Sequence, residues 1–134
     1  MIFKLYKDLF YKIYKWNLNH FGEKDVPEWK AIFIVSFIMF ANITLIGIIL
    51  EFLGLFDFFF RKIFPKKELI SILVLLFIVN YIQYVSGAKY LVIKNEYESN
   101  KEKCLNTVTL TVFSVLSIIS PFIIAFIFGK LFIR

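Results

Sequence analysis

The chain has 134 residues, 60% of them hydrophobic and 20% aromatic, with a net charge of +6 and a single cysteine. Three uncharged runs, 31–50, 69–88 and 105–129, are each long enough to cross a hydrocarbon layer of about 30 Å at about 1.5 Å per helical residue. These features exclude an intramolecular disulfide framework, leave no room for a separate soluble domain, and predict an all-α polytopic membrane protein.

Residues 2–20, IFKLYKDLFYKIYKWNLNH, place Ile2, Leu5, Leu9, Ile13 and Trp16 on one helical stripe. Lys4, Lys7, Asp8, Lys12 and Lys15 fall opposite. Phe3, Tyr6, Phe10, Tyr11 and Tyr14 flank the apolar stripe, which predicts an amphipathic helix over residues 1–24 lying in the headgroup plane. The alternative is a helix packed on a partner subunit or on the chain's own cytoplasmic extensions. Lys4, Lys7 and Asp8 interrupt any signal-peptide core, so the first span is expected to direct insertion. His20 stands alone as a potential ligand and reads as an interfacial residue.

Gly22 is placed to end this helix. Asp25, Pro27 and Glu28 have the spacing of a capping box with proline in the first turn, so a second helix should start near Val26. Trp29 and Lys30 suit the membrane interface ahead of a span over about 29–52. Glu51 falls where that span should run out and marks a boundary, with Arg61 or Lys62 as its expected partner. Residues 52–64 read as a helix continuing along the surface until Pro65. The second span is expected over about 68–90, with a helical extension to about Ser99, and the third over about 105–129, with Pro121 placed to bend it. Residues 25–134 thus form one three-span domain.

With three spans, one side of the membrane receives ten Lys and the other six Lys and Arg, which favours a cytoplasmic N-terminus. Each span carries one polar or small-residue face: Ser36, Phe40, Ile43, Gly47, Glu51 and Gly54; then Asn80, Gln83, Gly87 and Tyr90; then Thr107, Thr111 and Ser114. These faces serve either as interhelical hydrogen-bonding surface or as the lining of a hydrated path. Three helices enclose no water-filled pore alone, so a path requires a cyclic homo-oligomer. Glu51, Asn80, Gln83, Thr107, Thr111 and Ser114 are its candidate lining. Lys4, Lys7, Lys12, Lys15, Lys94, Lys101 and Lys103 are the candidate contacts for an anionic ligand or lipid headgroups. No His, Cys or carboxylate cluster has metal spacing, no triad is recognisable, and neither a cofactor nor an enzymatic activity is expected.

This organisation (a basic N-terminal helix, a long second helix and a polar face on each span of a very small chain) resembles the small membrane effectors of bacterial anti-phage operons, such as the Hailong-type channel. The resemblance runs along the full chain and involves no motif. It implies a homotetrameric ion channel that depolarises the host membrane, restrained by a nucleotide or a short single-stranded DNA on basic vestibules, and a partner protein from the same operon. A second expectation, from a different class, is a non-transporting accessory or scaffold subunit that uses the same faces to dock on a larger membrane complex.

Overall fold

The computed structural model describes residues 2–55, 66–100 and 104–132, and all regular structure among them is helical. In chain order the helices are α1 (Ile2–Phe21), α2 (Pro27–Phe52), α3 (Lys66–Asn80), α4 (Lys89–Ser99) and α5 (Thr107–Phe132). Three stretches are long and apolar enough to cross a membrane: Pro27–Phe52, Lys67–Ser99 and Thr107–Lys130. The expectation of three helical stretches able to cross a membrane therefore stands.

Chain reversal between α1 and α2 is made by Gly22, at φ +78°, and a short 3-10 turn, Glu23–Asp25. The capping box does not form. Val26 occupies the cap position in a left-handed conformation, φ +47°, with no side-chain cap, while the Asp25 carboxylate accepts a hydrogen bond from Lys30 instead. Pro27 takes the first helical position, where a missing N–H costs nothing.

Helix α1 then lies back along α2: Asn42, well inside α2, donates to the Tyr6 hydroxyl at 2.9 Å. Its buried face is Tyr6, Phe10, Tyr14 and Asn17, flanked by Asp8, Leu9 and Tyr11. This corrects the expected stripe, of which only Leu9 is buried while Ile2 and Trp16 are exposed. The aromatic side chains, spaced four apart, form the packing face because each ring covers more area than the aliphatic residues beside it.

At the far end of α2 the helix stops at a glycine. The Gly54 N–H bonds to the Glu51 carbonyl and the Leu55 N–H to the Leu50 carbonyl, both at 3.0 Å, with Gly54 at φ +72°. That paired closure is a Schellman motif, which needs the left-handed residue glycine supplies. Continuation of the helix past residue 52 is thereby overturned for 53–55, and Gly54 leaves the α2 face on which its spacing had put it. The rest of the 52–64 segment, with Pro65, lies outside the described residues. Helices α2 and α5 run side by side in the same direction, the Phe52 and Phe128 rings stacked with centroids 4.2 Å apart.

The second span is broken. After Asn80 the chain makes a π-turn, Tyr81–Val85, then kinks at Gly87 (φ +67°) and Ala88 (φ +56°) before α4. A continuous helix to Ser99 is therefore corrected to two helices. Lys89 folds back to donate to the Ile82 carbonyl at 2.8 Å, which partners one of the acceptors a widened turn leaves over. Helix α5 runs unbroken through Pro121.

Candidate functional site

The redirected α4 and the π-turn ahead of it pack against α1, with two tyrosine contacts from α4 and one from the π-turn. Phe10 stacks on Tyr84 at 4.8 Å, Tyr11 on Tyr97 at 4.7 Å, and Tyr14 lies 5.6 Å from Tyr90. Tyr6 meets Phe113 of α5 edge-on at 6.0 Å. Burial and the neighbouring Tyr90 push the Tyr14 hydroxyl up to about 12, so it stays neutral at any physiological pH.

Asp8 sits under this aromatic spine with none of its surface exposed. One carboxylate oxygen accepts from the Tyr97 hydroxyl of α4, and the other from the Leu105 backbone N–H at 3.3 Å, just ahead of α5. A single side chain of α1 thus joins the ends of the two later helices. Around it, Lys7 pairs with Glu96 at 3.0 Å and lies 5.6 Å above the Tyr97 ring, Lys12 donates to Thr107 at 3.2 Å, and Lys15 lies 5.7 Å from the Tyr11 ring. Lys4 is exposed and Lys94 half-buried; Lys101 and Lys103 lie outside the described residues. Three of the five described candidate anion-binding lysines therefore also bridge or cover the α1–α4–α5 junction.

Cys104 adjoins the same junction, half-buried. Burial first, and the Asp8 carboxylate second, raise its thiol above the ordinary range, while Lys12, Lys4 and Lys15 pull it down.

The six candidate pore residues do not converge on one surface. Asn80 is wholly buried, donating to the Ser36 hydroxyl at 2.9 Å and lying 3.4 Å from the Met39 sulfur, so two of the polar faces meet inside one chain. Gln83, next in the π-turn, is exposed, and Glu51 is half-buried at the opposite end of α2. Arg61 and Lys62, its expected partners, lie outside the described residues. Thr107 and Thr111 are exposed and Ser114 half-buried. Thr111 and Ser114 donate to the carbonyls of Thr107 and Leu110 in their own helix, at 2.8 Å each. The side of α5 that faces inward is Leu110, Ser117 and Pro121.

Two buried polar atoms, Asn80 Oδ1 and the Tyr84 hydroxyl, have no hydrogen-bond partner among the described residues. They lie four residues apart across the start of the π-turn. Sequence reasoning missed Asp8, which it set on the solvated stripe, and the tyrosines 6, 84 and 97. The available signals were a lone carboxylate among four lysines and the four-residue aromatic period. No group of metal-ligating side chains occurs among the described residues. Comparison with protein-family models, curated proteins and solved structures gives no match.

Proposed function

We propose that this chain is the subunit of a homo-oligomeric channel or membrane-disrupting effector of a bacterial inner membrane, gated by an anionic ligand, with α1 as the element that reads the ligand. The carrying observation is the Asp8 junction. Lys7 and Lys12 hold α1 to Glu96 and Thr107 beside that buried carboxylate. A nucleotide or short single-stranded DNA that engages Lys4, Lys7, Lys12 and Lys15 competes for those same groups, so binding is coupled directly to how α1, α4 and α5 pack. The path for ions runs between copies, because within one chain the bundle is filled by the aromatic spine. A tetramer and a role in anti-phage defence rest on resemblance of organisation, and a cytoplasmic N-terminus on the distribution of Lys and Arg.

The sealed Asn80–Ser36 hydrogen bond favours the second reading, an accessory or scaffold subunit that transports nothing, because it uses polar side chains for packing inside one chain. Mass in detergent solution and planar-bilayer conductance of the purified protein separate the two. A closed oligomer that conducts supports the channel; an inert monomer sinks it. Replacing Lys4, Lys7, Lys12 and Lys15 together by Gln should abolish salt-sensitive binding of a short oligodeoxynucleotide. Unchanged binding would move the sensor off α1.

A further inference from the structure

Where the C-terminal part of α1 meets α2 and α3 there is a groove of about 410 Å³, lined by Asn17, Trp29, Lys30, Phe33, Ile34 and Phe77. Its depth is apolar: Phe33, Ile34 and Phe77 belong to stretches able to cross a membrane, and Phe33 and Ile34 are exposed. Its mouth lies in the first turn of α2, where Trp29 is half-exposed with its ring 5.9 Å from Phe77 and 5.3 Å from Tyr81. Aromatic residues at the start of a span mark headgroup depth. An acyl chain is the natural filling for the apolar part.

The mouth also specifies a headgroup. Lys30 lies 4.7 Å above the Phe21 ring and pairs with Asp25, and both side chains keep more than two-fifths of their surface accessible. In sequence the pair is flanked by Glu23, Lys24 and Glu28, so the segment 23–30 carries three acids and two bases. A net anion gains little there. A group that carries a phosphate beside a primary ammonium matches the Lys30–Asp25 pair, the phosphate accepting from Lys30 and the ammonium donating to Asp25. A choline headgroup lacks the N–H donors, and a glycerol headgroup lacks the cation.

We infer that this groove binds one phospholipid with a phosphoethanolamine headgroup, its acyl chain on Phe33, Ile34 and Phe77. The site is independent of whether the protein conducts ions. The test uses the full chain carrying Trp16→Phe, so that Trp29 is the sole tryptophan, in phosphatidylcholine vesicles doped with a minor fraction of lipid brominated on its acyl chains. Brominated ethanolamine lipid should quench Trp29 roughly threefold more than brominated choline or glycerol lipid, the preference that exposed ion pairs support. Lys30→Gln and Asp25→Asn should each remove that excess, and the exchanged pair Asp25→Lys with Lys30→Asp should restore it. Equal quenching by the three headgroups, strongest quenching by the glycerol lipid, or an excess that survives Lys30→Gln would overturn the assignment.

Discussion

A carboxylate with no accessible surface is costly unless its oxygens find donors, and Asp8 finds them on two segments far away in sequence. Replacing Asp8 by Leu leaves the buried Tyr97 hydroxyl and the part-buried Leu105 N–H without their acceptor, and thermal unfolding in detergent should report a loss of roughly 3 kcal/mol. Asp8→Asn keeps one acceptor and should lose about 1 kcal/mol. Tyr84 gives the opposite sign. Tyr84 is 2% exposed and its hydroxyl has no partner among the described residues, so Tyr84→Phe removes an uncompensated desolvation and should leave stability unchanged or higher. Cys104 supplies a third reading. A thiol raised by burial and by Asp8 holds less thiolate at pH 7, so it should react with a membrane-impermeant maleimide more slowly than an exposed cysteine, and faster as pH rises. Asp8→Asn should speed that reaction at fixed pH. In intact spheroplasts, rapid labelling of Cys104 would refute a cytoplasmic N-terminus.

At the scale of helices, the lengths were legible and the interruptions were not. An apolar run of twenty or more residues can only cross or be buried, so spans follow from counting. The break at Gly87 and Ala88 follows instead from what α4 gains by turning: Tyr90, Ile93 and Tyr97 reach α1 only after the kink. A single glycine in VSGAK does not announce that. The α1 face was misjudged because tyrosine is polar at its tip and apolar along its ring, and a stripe drawn from aliphatic residues alone undercounts it. Asp25 had the capping spacing but was drawn to Lys30, a competition that depends on the left-handed Val26. Backbone strain gives the test. Ala88→Gly relieves a left-handed alanine and should raise stability by about 1 kcal/mol, whereas Gly87→Ala, at φ +67° in open space, should lower it by a similar amount. A continuous second helix would predict the reverse for Ala88→Gly.

For the molecule as a whole, the site was legible only as a set of charges. The lysines at 4, 7, 12 and 15 were visible as a basic stripe; that Lys7 and Lys12 also hold helices together depends on α4 and α5 arriving beside α1, which no spacing within residues 2–20 encodes. Helices α3 and α5 keep most of their apolar side chains exposed, including Ile70, Val74, Ile78, Val112, Leu116 and Ile123, so lipid or further copies must cover them. The partners of Asp8 also order events in time. Tyr97 lies 89 residues downstream of it and Leu105 97. A ribosome delivers α1 first, yet its carboxylate has neither of these partners until the second apolar stretch and the residues up to 105 have been made. In the proposed orientation, with α1 on the cytoplasmic side, a chain arrested before residue 97 lacks both partners of Asp8 and should leave α1 more open to protease from that side than the full chain does.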